Sequence, residues 1–342
     1  MSRARVALAA ALVAGAAVAA PPAARVVVFG DFGAATAQRD AVAQALVAAQ
    51  RRVPADLAIA VGDNLYDCGA DAALAGAGAC AFAADGATVD PGYAAPPDPR
   101  FDRLFEEPLR ALVRPDGSPL PVYLALGNHD VASSAACGAA SPAQARTKAC
   151  LEVAHRGAHW RMPGRHYVVD VGPATFVVFD SNLLALGDYG GFSFDAEVTF
   201  LHAALAGCER RPCFLVSHHP PVTAGHHAAQ VAAAAYQSRA RRIEQAGRFV
   251  AWLAGHDHDL QHLRAARGYD VFVSGNGARA RTEDLRGPSD ASARLLFDSD
   301  APGFAVLEVR AEDWSVRLED AGGHALACCA ARGGPCEPRP CD

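Results

Sequence analysis

The chain has 342 residues, is 51% hydrophobic and carries a formal net charge of -6. A hydrophobic share of that size supports a large core, and the acidic balance leaves no basic footprint for a nucleic-acid polymer, so none is expected as a partner. Beyond the first twenty residues no stretch is long and apolar enough to span a bilayer, and no membrane span is expected.

In chain order, Met1-Ser2-Arg3-Ala4-Arg5 is basic and Val6 to Ala20 is apolar, ending in the small residues Ala17-Val18-Ala19-Ala20. That profile reads as a cleaved signal peptide over residues 1–20, which makes the protein secreted or periplasmic. The alternative is an Ala-rich helical extension. Val26 to Phe29 is an apolar run of strand length that ends at Gly30-Asp31-Phe32-Gly33. Thr36 to Arg51 places Val42, Leu46 and Ala49 at helical spacing, and Leu57 to Val61 runs into Gly62-Asp63-Asn64-Leu65-Tyr66, completing a βαβ unit. Ala70 to Pro99 is rich in Ala, Gly and Pro without periodicity, and the region from about 67 to 100 reads as an insertion. Arg100 to Val113 predicts a helix on the face formed by Phe101, Leu104, Phe105, Leu109 and Leu112.

Val122 to Leu126 leads into Gly127-Asn128-His129-Asp130. Tyr167 to Val171 and Thr175 to Asp180 read as a hairpin that starts a second sheet, followed by a helix from Phe194 to Leu205. Phe214 to Val216 ends at Ser217-His218-His219-Pro220, and Phe249 to Ala254 ends at Gly255-His256-Asp257-His258. Asp270 to Ser274, Phe304 to Val309, Ser315 to Glu319 and His324 to Cys328 are shorter alternating runs. The expected fold is α/β, with two packed mixed β-sheets flanked by helices. Residues 21–342 are expected to form a single domain, because the clusters from Asp31 to His258 must meet in one place.

Ten cysteines in an exported chain favour disulfides. Local pairing would join Cys68 with Cys80, Cys137 with Cys150 and Cys208 with Cys213, leaving Cys328, Cys329, Cys336 and Cys341 to a Cys-rich C-terminal tail. A four-cysteine zinc site in that tail is disfavoured, because Cys328-Cys329 lacks the spaced pairs that tetrahedral zinc needs.

Apolar runs with no alternation suit strands buried on both faces, and ligand sites in such sheets form outside the strands' carboxyl ends. The residues delivered there mix carboxylate, amide and imidazole, a set suited to intermediate di- or trivalent metals rather than to structural zinc. Two such ions about 3.5 to 4 Å apart form the clamp used on phosphate esters. Taken singly, Asp31, Asp63 and Asn128 would be ordinary turn residues. His155, His159, His166, His202, His262 and His324 follow no motif and are read as surface or core histidines.

With these five clusters in this order, the chain resembles the calcineurin-like metallophosphoesterases and, within them, the purple acid phosphatases of the small, tartrate-resistant type. The wider superfamily opens with Asp-x-His, whereas this chain has Asp31-Phe32-Gly33 and offers Tyr66 three residues after Asp63. The likeness spans roughly Val26 to Ala330. It implies a four-layer αββα sandwich in which Asp31, Tyr66 and His258 hold one metal, Asn128, His219 and His256 hold the second, and Asp63 bridges. His218 competes with His219; spacing from Val216 and the following Pro221 favour His219. The implied cofactor is a binuclear centre of Fe(III), favoured by a phenolate ligand, with Fe(II), Zn(II) or Mn(II). His129 is the expected leaving-group acid, with His226, or its neighbour His227, as a second substrate-side histidine. Asp130 and Asp257 are expected to orient ligands rather than bind metal. The implied reaction is hydrolysis of small phosphomonoesters, as an acid phosphatase, by attack of metal-bound hydroxide. Phosphodiesterase or nucleotide pyrophosphatase activity is the first alternative, and a catalytically silent binding protein the second.

Overall fold

A computed structural model of the chain describes residues 23–75, 80–138, 140–281 and 287–341. The segment read as a signal peptide lies outside them. β1 (Ala24–Phe29) is buried along its whole length, and Thr36 then caps the helix Ala37–Arg52 by accepting the Arg39 amide with its side chain. That helix buries Val42, Leu46 and Ala49, the three positions its periodicity marks, and returns the chain to β2 (Leu57–Ala60), parallel to β1. β3 (Val122–Leu124) and β4 (Trp160–Arg161) extend the parallel run.

The chain then builds a second sheet from β5 (Tyr167–Val171), β6 (Ala174–Val178), β7 (Cys213–Val216), β8 (Ala251–Ala254), β9 (Leu260–Arg264), β10 (Asp270–Ser274) and β11 (Arg294–Ser299). β6, β7, β8 and β10 are parallel neighbours, edged by the antiparallel β5 on one side and by β9 and β11 on the other. β12 (Gly303–Val309) returns to pair antiparallel with β1, and β13 (Asp313–Asp320), β14 (Ala325–Arg332) and β15 (Glu337–Arg339) complete an eight-stranded first sheet. Both sheets are mixed, as expected.

One apolar core runs through both sheets. Trp314 on β13 meets Phe214 of β7 and Phe272 of β10 edge-on, with ring centroids 5.5 and 6.2 Å away, and the Ser274 hydroxyl donates to the Val28 carbonyl at 2.9 Å. The helix Ala37–Arg52 packs on β12 and the helix Phe194–Leu205 on β6, so helices flank the pair of sheets.

Two local expectations are revised. Helical turns run only from Pro99 to Leu109, with a wider π-type stretch over Asp102–Glu106, and Val113 pairs instead with Pro119. The helix Pro142–Ala154 was not foreseen, although Ser141 and Gln144 form a reciprocal capping box at its start.

The disulfides correct the local pairing in two places. Cys208–Cys213 is as expected, and the C-terminal four pair among themselves as Cys328–Cys341 and Cys329–Cys336. Cys68 joins Cys137 and Cys80 joins Cys150, because the insertion packs against the region of the helix Pro142–Ala154 instead of folding back on itself. Lys148 from that helix donates to the carbonyls of Cys68 and Ala70 at 2.6 and 2.7 Å. Five disulfides argue for an oxidising, non-cytoplasmic compartment. Among the described residues no helix is long and apolar enough to cross a membrane.

Thiol titration of the denatured, unreduced protein should therefore find no free cysteine. Replacing Cys80 and Cys150 together by serine should lower stability by about 2–4 kcal/mol, read from the denaturant midpoint, because the bond closes a long loop in the unfolded chain.

Candidate metal centre

Five parallel strands from the two sheets release their chains toward one point. β1 delivers Asp31, β2 delivers Asp63 and Tyr66, β3 delivers Asn128 and His129, β7 delivers His218 and His219, and β8 delivers His256 and His258. Asp31, Asp63 and His256 adopt left-handed backbone conformations, with φ of 53°, 54° and 72°. Such conformations cost roughly 1–3 kcal/mol each and persist where the surroundings over-determine them. Here the turns hold one another: the Asp31 amide donates to the Gly62 carbonyl at 2.9 Å, the Gly255 amide to the His218 carbonyl at 2.9 Å, and the His256 amide to Asp31 Oδ2 at 3.0 Å. Gly127 and Gly255 pass so close to the carboxylates of Asp63 and Asp31 that a side chain at either position would collide with them.

Two donor sets result. In the first, the Tyr66 hydroxyl lies 3.1 Å from both Asp31 Oδ1 and His258 Nε2, which are themselves 3.4 Å apart. In the second, Asn128 Oδ1 lies 2.9 Å from His218 Nε2 and 3.0 Å from His256 Nδ1, with 3.2 Å between the two nitrogens. Asp63 adjoins both, its charge acting on the Tyr66 phenol and its Oδ1 lying 3.4 Å from His218 Nε2. Asp31, Asp63 and His218 offer ligand atoms all within 4.8 Å of one another.

Between His218 and His219, the geometry favours the neighbour of the expected ligand. His218 Nδ1 donates to the Val61 carbonyl at 2.9 Å, leaving the Nε2 lone pair aimed at Asn128 and Asp63. His219 points its Nδ1 at Ser181 Oγ, 3.1 Å away, and its Nε2 has no partner among the described residues. An H-x-P pattern fits either histidine, so spacing alone does not separate them. On His256, Nε2 donates to Gln230 Oε1 at 2.9 Å, so Nδ1 is the free donor.

The electrostatics are those of ligands awaiting a cation. Burial pushes the Asp31 carboxyl well above its ordinary range, and the nearby Asp63 charge adds to this. Burial also acts to raise Asp63, but His218 and His129 outweigh it and hold that carboxyl low. Burial and the two carboxylates push the Tyr66 phenol well up. Burial and the neighbouring imidazoles keep His256 well below its usual range, and burial with Arg281 brings His258 down to about 4. Those two imidazoles are therefore neutral, as metal ligation requires.

The donors open into a cavity of about 590 Å³ walled by His129, His226, His227, Gln230, Arg279 and Arg281. His129 bonds through Nδ1 to the Asp67 carbonyl and places Nε2 3.9 Å from Asp63 Oδ2. His226 and His227 both reach the cavity; the His227 ring stacks on His256, with centroids 3.9 Å apart. Asp257 holds the Thr223 hydroxyl and the His227 amide, and Asp130 holds the amides of Asn64, Leu65 and Gly127, so both orient the site. Sequence reasoning missed Arg279 and Arg281. Arg279 lies 4.4 Å over the Tyr66 ring and 2.8 Å from Asp67, while the Arg281 amide bonds the His258 carbonyl. A signal existed in Gly275-Asn276-Gly277, which follows β10 as the other glycine turns follow their strands.

A pair of mixed sheets that brings two abutting oxygen-and-imidazole sets to its strand ends defines a two-metal phosphoesterase scaffold. The chain belongs to the calcineurin-like phosphoesterase family, whose model matches residues 24–260, and is on that ground a hydrolase. Among solved structures it is similar to GAP50, the anchor in the inner membrane complex of Plasmodium, at 15% identity and a TM-score of 0.65, covering 91% of this chain and 89% of that one. It is also similar to the purple acid phosphatase PPD1 from yellow lupin (Lupinus luteus) seeds, at 14% identity and a TM-score of 0.62, covering 92% of this chain and 54% of that one. PhoD follows at 11% identity and a TM-score of 0.53, covering 93% and 72%. At these identities the likeness is one of fold. No curated protein matches the sequence.

Because Asp31 is held protonated well above the ordinary carboxylate range while His258 is already neutral above about pH 4, metal uptake should displace a proton from the carboxyl rather than from that imidazole. Calorimetry of metal binding in buffers of different ionisation enthalpy should register that release. Asp31→Asn should abolish it and weaken binding.

Proposed function

We propose that this chain is an acid phosphatase of the purple type, hydrolysing small phosphomonoesters in a secreted or periplasmic setting, with residues 21–342 as one catalytic domain behind a cleaved leader. The observation that carries the reading is Tyr66, whose hydroxyl sits within 3.1 Å of both Asp31 Oδ1 and His258 Nε2, where a phenolate would complete a hard ligand set. The residues fit a pair of ions: Asp31, Tyr66 and His258 would hold Fe(III), and Asn128, His218 and His256 would hold Fe(II), Zn(II) or Mn(II), with Asp63 between them. When bound, such a pair supplies an activated water and neutralises phosphate oxygens.

The protein's own groups do the rest. His129, with Nδ1 tied to the Asp67 carbonyl, presents Nε2 to the cavity beside Asp63, where it can hand a proton to the departing alkoxide. His226 and His227 line the same cavity as substrate-side groups, and Arg279 and Arg281 supply fixed positive charge for a dianionic ester. A monoester keeps three free oxygens for two ions and His129, whereas a diester has one of them blocked by carbon.

Two measurements test this. The iron-loaded, oxidised protein should be coloured by phenolate-to-iron charge transfer, and Tyr66→Phe should lose the band; a colourless iron-loaded wild type refutes the tyrosine assignment. An aryl phosphate should be hydrolysed faster than a bis-aryl phosphate, with an acidic optimum, and His129→Ala should keep its metals while losing roughly 10²- to 10⁴-fold in rate. A neutral or alkaline optimum with the diester preferred would instead establish the phosphodiesterase reading.

A further inference from the structure

His219 is a buried imidazole in the wall of the cavity that the metal assignment above leaves without a task. Its ring centroid lies 4.4 Å from that of His256 and 5.0 Å from that of His218, and it is 1% exposed. The residue lines the cavity, and its buried Nε2 reaches no hydrogen-bond partner among the described residues. A buried polar nitrogen without a partner costs free energy and calls for a ligand that completes it.

Ser181 decides what that nitrogen is. It follows β6, fully buried, and its Oγ accepts the backbone amides of His218 at 3.1 Å and His219 at 2.8 Å. A hydroxyl has two acceptor positions and one hydrogen to donate, so both acceptor positions are filled. The remaining contact of Oγ is His219 Nδ1 at 3.1 Å, and only the hydroxyl hydrogen is left to make it. Nδ1 is thereby an acceptor, and the ring hydrogen resides on Nε2. His218 is wired the opposite way, with its Nδ1 hydrogen given to the Val61 carbonyl and its Nε2 lone pair free. Two adjacent histidines thus differ in what they offer: His218 turns an electron pair toward Asn128 and Asp63, and His219, in the cavity wall, offers a hydrogen.

We propose that His219 is a neutral hydrogen-bond donor to a non-bridging oxygen of the bound phosphoryl group, locked in its Nε2–H tautomer by Ser181. The inference rests on the phosphate-ester reading of the site. His219 touches the substrate; Ser181 is a positioning residue that acts through it. Because the donor needs no change of protonation, it holds the phosphoryl group equally across the acid range, unlike a group that must carry charge to do so.

The test uses the zinc-reconstituted full chain and orthophosphate as the probe. Long-range ¹H–¹⁵N spectra, with the His219 signals identified by their loss in His219→Gln, should show a hydrogen on Nε2 and a bare Nδ1; a hydrogen on Nδ1 overturns the proposal. His219→Ala should retain the zinc content of the wild type and bind orthophosphate roughly 10- to 100-fold more weakly, the range for a hydrogen bond to a charged group. His219→Gln, whose amide can reach the Nε2 position, should recover most of that loss, and Ser181→Ala should show part of it. Zinc loss in His219→Ala would make His219 a metal ligand, and unchanged phosphate affinity would leave it without a ligand role; either result overturns the proposal. A wild type that takes up no zinc overturns the phosphatase reading itself, and this inference with it.

Discussion

A carboxylate withdrawn from water and surrounded by other donors requires a positive charge, and Asp63 is that carboxylate here. It lies 1% exposed between a phenol on one side and an imidazole on the other, with a second buried carboxylate, Asp31, close by. The side chains that the protein itself sets against Asp63 are the histidines His218 and His129, and burial keeps the other imidazoles of the cluster neutral. Two abutting donor sets that share one carboxylate are therefore a framework whose remaining partner is cationic.

The geometry of that framework is maintained from below. Asp130 accepts the amides of Asn64, Leu65 and Gly127 at 2.8, 3.0 and 2.7 Å, tying the turn after β2 to the turn after β3. Burial and the charge of Asp63 raise its carboxyl to about 7, and burial together with Asp130 pushes Glu152 well up, so both acids beneath the site are driven toward the protonated form. This brace supports the strained turn at Asp63, while those at Asp31 and His256 are held by their own backbone hydrogen bonds.

Much of this was legible in the chain because it is written locally. A run of buried β residues followed by glycine and a polar residue marks a strand end, and five repetitions of that signal placed Asp31, Asp63, Asn128 and the histidine pairs at one edge of an α/β fold. The helix spacing of Val42, Leu46 and Ala49 is equally local. What could not be read depends on long-range approach. Cys68 meets Cys137 only because the insertion packs toward the helix Pro142–Ala154, and Glu152 acquires its place under Asn64 from that same helix. The choice between His218 and His219 turns on which ring finds the Val61 carbonyl and which finds Ser181, and neither partner is a sequence neighbour of the pair. Arg279 and Arg281 escaped notice because arginine after a strand is ordinary until the fold aims it at a cavity.

The bond between Cys68 and Cys137 links the stretch after Tyr66 to the stretch after His129, so one covalent link reinforces the side-by-side placement of two rings whose centroids lie 4.3 Å apart. The two cysteines are 69 residues apart along the chain, and the turns that precede them are already joined through Asp130. With that bond reduced, Asp130 would still tie the turns after β2 and β3, and the loss would fall on the rim, where His129 leans on the Asp67 carbonyl beside Cys68.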